Sequence, residues 1–137
     1  MKYGEIIVEK REYELLKSIM GMAAYKKDKT YHASLSKLAE ELKKAKILKD
    51  KDMPEDVVRF NSVVTIQTKY TMEKSYRIVT PEKSNLKENL ISVLAPMGLA
   101  LFGYAKGDEI MWQFPTGMSA IKITDVEQMK EIKSMEL

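Results

Sequence analysis

The sequence predicts an α+β protein, with a short antiparallel helical hairpin followed by a small antiparallel sheet carrying one short helix. Three observations predict it. Apolar residues recur every three or four positions between Glu9 and Ala45, the signature of helices with one buried face. Beyond Met53-Pro54 the period falls toward two, as in strands with one face buried. Breaker clusters at Met53-Pro54 and Pro115-Thr116-Gly117 separate these regions or fold strands back on each other.

Residues 5–8 (Glu-Ile-Ile-Val) are short and β-branched, and are expected to be extended. From about Glu9 to Lys26 the pattern turns helical, with Tyr13, Leu16, Met20 and Ala23 on one face and Glu12, Glu14 and Lys17 on others. Gly21 weakens this helix by up to ~1 kcal/mol relative to alanine, which allows a break there. Lys26-Lys27-Asp28-Lys29-Thr30-Tyr31-His32 reads as the turn. A second helix follows, with Ser34 as its N-cap and Leu35, Leu38, Ala39, Leu42 and Ala45 as its stripe. Glu40 and Lys44 are expected to pair at i,i+4. Two helices of this size reach only about 21–26 Å, a stubby projection.

Lys49–Asp52 reads as a charged linker, so the predicted parts are residues 1–52, the hairpin, and 53–137, the sheet domain. Val63–Thr68 and Ser75–Thr80 are strands with a turn near Tyr70–Glu73, and Pro81–Asn89 is a polar loop. Leu90–Leu94 is a third strand, and Pro96–Gly103 a short helix opened by proline in its first turn. After the Gly107-Asp108 turn, Glu109–Phe114 and Ala120–Val126 form a hairpin. Ile110, Trp112 and Phe114 share one face of it, where core packing accounts for them.

The totals narrow the function. At 137 residues, 45% hydrophobic and 31% charged, the chain has enough apolar material for a real core. No apolar run approaches the ~20 residues that span a bilayer, and no signal peptide is evident, so no membrane partner and a cytoplasmic location are expected. There are no cysteines, which excludes disulfides and thiol chemistry. Residues 1–52 carry 13 basic and 9 acidic side chains and residues 53–137 carry 10 and 11, too weak a bias to predict direct nucleic-acid contact. The lone histidine, His32, sits on the predicted turn, and no Cys/His cluster, phosphate-binding glycine motif or EF-hand spacing is present. The residues therefore point to a binding or regulatory protein, not an enzyme, with no catalytic residue, metal or cofactor.

The stretch ISVLAPMGLALFGYAKGDEIMWQFPTG, residues 91–117, followed by IKITDV at 121–126, resembles the C-terminal domain of the bacterial Gre transcription elongation factors. Ala95-Pro96 stands where Ser-Pro is usual there, and Ala100-Leu101, Gly103 and Gly107-Asp108 fall in register. Nearer still is the Rnk branch, the regulators of nucleoside diphosphate kinase. Its Met-Pro-x-Asp-Val-Val-x-x-Asn-Ser is matched by Met53 to Ser62, and its Ser-Val-x-Ala-Pro-x-Gly-x-Ala-Leu by Ser92 to Leu101. The resemblance covers essentially the whole chain. It implies an FKBP-like fold for residues 53–137, carrying a short coiled-coil hairpin.

It also implies a partner, RNA polymerase, and a site at the rim of the polymerase secondary channel. Ala95, Pro96 and Met97 are the expected docking residues, with Ser92 and Asn61 as weaker members. The same positions also read as a plain helix start with an inward-packed Met97. Gre factors insert a long hairpin whose tip carries two carboxylates that help to hold a catalytic Mg²⁺, an ion that suits oxygen ligands. Here the tip residues are Lys26, Lys27, Asp28, Lys29 and His32, a single carboxylate among lysines. The resemblance therefore implies docking, and competition with other secondary-channel factors, without stimulation of transcript cleavage. An influence on nucleoside diphosphate kinase would be indirect, through transcription. Two other classes stay open: an interaction module in which the basic turn touches RNA or protein, and a peptidyl-prolyl isomerase suggested by the fold alone.

Overall fold

The computed structural model describes residues 1–23, 29–70, 72–114 and 117–129, and for residues 23, 29–32, 34 and 114 the backbone alone. The chain opens with strand β1 (Ile7–Glu9), which runs directly into helix α1 (Lys10–Ala23). Glu9 makes that junction. Its Oε1 accepts from the backbone N–H of Arg11 and of Glu12, each at 3.0 Å, satisfying two of the donors that a helix start leaves free. The carboxylate is buried, and its charge suits the positive end of the helix. Leu16 and Ile19 are buried, Tyr13 and Met20 pack beside them, and the helix continues through Gly21.

Helix α2 (Lys29–Lys43) begins earlier than expected. Position 31 stands four before Leu35, so the helical register extends back through residues assigned to the turn. Lys29 to His32 therefore lie in α2, and Ser34 lies inside it and cannot be its N-cap. Leu35, Leu38 and Leu42 are buried as predicted. Glu40 pairs with Lys43 at 3.0 Å rather than with Lys44, using the other neighbour that a helix offers.

Part of the predicted charged linker is preceded by an unforeseen strand, β2 (Lys46–Leu48), parallel to β1 with Val8 opposite Ile47. Parallel neighbours need a long connection, and α1 and α2 supply it. A 3-10 turn at Asp50–Asp52 then leads into the sheet region.

That region holds β3 (Val63–Gln67), β4 (Lys74–Val79), β5 (Leu90–Ser92), α3 (Pro96–Leu101), β6 (Glu109–Phe114) and β7 (Gly117–Glu127). The sheet order is β5-β4-β3-β7-β6. It is not wholly antiparallel, because β5 runs parallel to β4, with Ile78 opposite Ile91. The link between them carries the chain back through 3-10 turns at Pro81–Lys83 and Leu86–Glu88 and reverses at Asn89, whose φ is 59°.

One face of the sheet is apolar: Val64, Ile66, Ile78, Ile110, Ile121 and Ile123 are all buried. They form one cluster with Ile6, Val8, Leu16 and Leu38, and with Leu99, Leu101 and Phe102 around α3. The N-terminal helices therefore share a core with the sheet. Phe60 meets Phe102 edge to face at 5.1 Å between ring centroids, a favoured aromatic geometry. Among the described residues, no helix is long and apolar enough to cross a membrane.

Candidate functional site

The expected docking residues lie where β5 turns into α3. Ser92 ends β5, and its Oγ accepts from the Leu94 N–H at 3.0 Å. The Ala95 N–H donates to the Ser92 carbonyl at 2.9 Å, and the Val93 N–H ties the turn to the Val79 carbonyl of β4 at 2.8 Å. Ala95 is the extended N-cap of α3, and Pro96 follows as its first residue, where a missing N–H costs nothing. Pro96 is exposed, while Ala95 and Met97 are half-buried. Met97 packs against the core, as the plain reading of an inward-packed helix start expects.

Gly98 fixes how closely this turn is built. A Cβ there would run into the Ser92 carbonyl oxygen and come within 2.9 Å of the Val93 Cα, both backbone atoms. Only glycine lets α3 lie this close to the end of β5. Asn61 joins the same neighbourhood from the other side of β4. Its φ is 70°, a left-handed conformation that asparagine tolerates, and its N–H donates to the Ile78 carbonyl at 2.6 Å. Ser92 and Asn61 thus flank one end of β4, with Ala95 to Met97 beyond.

Of the predicted tip, Lys26, Lys27 and Asp28 lie outside the described residues, and Lys29 and His32 are described only as backbone within α2. Among the described residues, no group of three His, Cys, Asp or Glu side chains is placed to hold a metal ion.

Two polar clusters that sequence reasoning missed tie the helices to the sheet region. In the first, Arg59 donates to Glu12 Oε2 through Nε at 3.0 Å and Nη2 at 2.6 Å, and Nη2 also reaches Asp50 at 2.8 Å. The Phe60 N–H donates to the other oxygen of Glu12 at 3.1 Å. Burial raises the Glu12 carboxyl above its ordinary range, against the opposing pull of Arg59. Asp50 is held below its ordinary value by the hydrogen bond from Arg59. Beside this cluster is a cleft of ≈ 590 Å³ that Asn61, Phe60 and Leu15 help to line.

In the second cluster the Tyr104 hydroxyl donates to Glu41 Oε2, while Lys37 Nζ lies 3.3 Å from that hydroxyl and 3.4 Å from the carboxylate. Burial, then the hydrogen bond to Glu41, pushes the Tyr104 phenol up. Residues 63 and 67 positions apart meet here, a separation that periodicity does not reveal.

The Gly107-Asp108 motif is structural as well. Gly107 has φ of 92°, and the Asp108 carboxylate is buried. One of its oxygens accepts from the Lys2 N–H at 2.6 Å and the other from the Ala105 N–H at 2.8 Å. The carboxylate closes the turn before β6 and fastens the N-terminal segment to it.

The family model described as "Transcription elongation factor, GreA/GreB, C-term" matches residues 53–128. The transcription elongation factor GreA of Syntrophus aciditrophicus is 32% identical over 105 residues, which are 76% of this chain and 65% of that protein. The chain thus spans just under two thirds of that relative. The regulator of nucleoside diphosphate kinase of Escherichia coli K12 is 34% identical over 96 residues, 69% of this chain and 71% of that one. Among solved structures, a prokaryotic transcription elongation factor GreA/GreB from Nitrosomonas europaea superposes with a TM-score of 0.72 at 28% identity. It covers 90% of this chain and 98% of its own.

Proposed function

The chain belongs to the GreA/GreB family of transcription elongation factors, and from that premise we propose that it is a regulator that binds RNA polymerase at the rim of the secondary channel. In this reading residues 53–137 are an FKBP-like docking domain, and residues 1–52 are a short helical hairpin directed at the channel. Work beside the polymerase places the protein in the cytoplasm, without membrane or cofactor. Occupancy of the rim would exclude other secondary-channel factors.

The observation that carries the proposal is the exposed Pro96 between half-buried Ala95 and Met97, on a turn held by Ser92 and by the close approach at Gly98. A surface already ordered loses little entropy on binding, so a small apolar contact there retains most of its value. The hairpin tip supports the second half of the reading. In the sequence Asp28 is flanked by Lys26, Lys27 and Lys29, and a lone carboxylate among such cations repels Mg²⁺ instead of recruiting it. The protein is therefore a regulator that does not stimulate transcript cleavage, and it is not an enzyme.

Pro96→Glu is the direct test, because an acidic residue suits the first turn of a helix and leaves the start of α3 intact. Its affinity for purified bacterial RNA polymerase should fall about tenfold or more, ~1.4 kcal/mol, with no drop in melting temperature. Unchanged affinity overturns the docking assignment, and a wild-type chain that does not bind polymerase overturns the whole reading. Added to stalled elongation complexes, the wild type should leave the cleavage rate at that of polymerase alone. Faster cleavage would refute the reading of the tip.

A further inference from the structure

The edge of the sheet that is left unpaired among the described residues carries the inference. The sheet ends in β5, three residues long, on one side and in the six-residue β6 on the other. Proteins protect exposed edges with short strands, internal prolines, bulges or several charges. β6 carries a single charge, Glu109, and no proline. Its register with β7 is unbroken from Glu109 opposite Lys122 to Phe114 opposite Gly117.

Its side chains are arranged for pairing. Met111 is 57% exposed on the solvent face, and Met118, 55% exposed, lies on the same face of β7 opposite Gln113. On the inner face Ile110 is buried and Trp112 half-buried. The hydrogen-bond phase can be followed from the start of the strand. The Gly107 N–H donates to the Ile123 carbonyl and the Ile123 N–H to the Asp108 carbonyl. Antiparallel ladders alternate, so Ile110 and Trp112 use their backbone groups toward β7, and Glu109 and Met111 turn theirs to the open edge.

We propose that β6 is a self-association edge, at which a second copy of this chain pairs antiparallel about a two-fold axis at Met111. That register sets Met111 against Met111, Ile110 against Trp112 and Glu109 against Gln113. Apolar residues meet apolar ones on both faces, and the acid meets an amide. It also brings the outward backbone groups of the two Met111 residues together as a hydrogen-bonded pair. The two sheets become one. An interface of one strand pair and a methionine cluster falls below the ~1,200 Å² of stable complexes, so the dimer forms at high protein concentration. Ala95, Pro96 and Met97 belong to α3 and not to β6, so this association and polymerase docking can succeed or fail separately.

The test uses the full chain, whose lack of cysteine makes any introduced thiol report only on self-contact. In a hydrogen-bonded antiparallel pair the Cα atoms are ~5.5 Å apart, inside the range a disulfide spans. Under mild oxidation Met111→Cys should form a linked dimer at least about tenfold faster than Lys122→Cys, an exposed position on the same face of the interior strand β7. Glu109→Cys mixed with Gln113→Cys should give the heterodimer. By sedimentation, the wild type should gain mass with concentration. Met111→Lys should remain a monomer with an unchanged melting temperature, because the side chain it replaces is solvent-facing. Met111→Cys linking no faster than Lys122→Cys, or a wild-type mass fixed at the monomer value, overturns the proposal.

Discussion

Replacing Gly98 with alanine adds one methyl group at the place where α3 comes closest to the end of β5. The new carbon would overlap the Ser92 carbonyl oxygen and lie 2.9 Å from the Val93 Cα and 3.0 Å from the Val93 carbonyl carbon, where ordinary contact begins near 3.4 Å. All three obstacles are backbone atoms, so no rotamer change relieves them. Either α3 moves off the sheet, opening the packing of Leu99 and Leu101, or the Ser92–Ala95 turn loses its hydrogen bond. Overpacking of this kind costs ~1–3 kcal/mol and more where backbone must move, against a gain of up to ~1 kcal/mol from alanine's helix propensity. The net expectation is a destabilisation of about 2 kcal/mol, or a melting temperature lower by roughly 6–10 °C for a chain of this size. Gly21→Ala is the matched control. Gly21 lies within α1, and among the described residues nothing beyond its chain neighbours and its own helix backbone comes within 4 Å of a Cβ placed there, so the same methyl should stabilise by up to ~1 kcal/mol. Urea unfolding of the two variants beside the wild type measures both. A Gly98→Ala protein as stable as the wild type would refute the close-approach argument.

Two further predictions concern the polar contacts. Tyr104→Phe removes the hydroxyl that donates to the partly buried Glu41, so it should destabilise by about 1.5–3 kcal/mol, read as a lower urea midpoint with an unchanged slope. Asp56 accepts from the Lys2 ammonium and from the Tyr3 hydroxyl at 2.8 Å; burial pushes its carboxyl up, but these partners outweigh burial and hold it below the ordinary 3.8. A carboxyl with a lowered folded pKa stabilises above its unfolded value and loses that contribution as pH falls through the folded one. The gap in stability between the wild type and Asp56→Asn should therefore be steady at neutral pH and close below about pH 3.8 in a series of thermal melts. A gap that widens on acidification would contradict that sign.

What the sequence disclosed and what it hid follow from the range of the interactions involved. Leu35, Leu38 and Leu42 declare a buried helix face by spacing alone, and the strand periods and the Pro96 start are equally local. β2 is hidden, because Lys46-Ile47-Leu48 is too short to show a period and becomes a strand only by pairing with β1 across both helices. The direction of β5 is hidden for a similar reason, since alternation marks a strand but not its orientation. The Glu9 cap is hidden because glutamate is not among the usual N-cap residues, yet its buried carboxylate accepts from two free N–H groups. The contiguous part of the candidate site, Ser92 to Met97, could be found by reading along the chain. Arg59 with Glu12, and Tyr104 with Glu41, needed the fold.

Burial divides the stretch from Ser92 to Asp108 into two kinds of residue. Gly98 sets the helix-to-strand distance, and Ala100 and Leu101 are buried in the core. Gly103, with φ of 85°, has no room for a side chain, because a Cβ there would be 2.7 Å from the Cβ of Ile6. Its carbonyl also accepts from the Ile7 N–H at 3.2 Å. Asp108 holds the Lys2 backbone. Gly103 and Asp108 therefore belong to the seam between the N-terminal segment and the sheet region, whereas Pro96 is exposed at the start of α3, between half-buried Ala95 and Met97. A substitution at Gly103 or Asp108 that weakens partner binding should do so through stability, in proportion to the fraction unfolded, whereas one at Pro96 should do so in a fully folded chain. Comparing binding with melting temperature across these positions separates a surface that touches a partner from the scaffold that presents it.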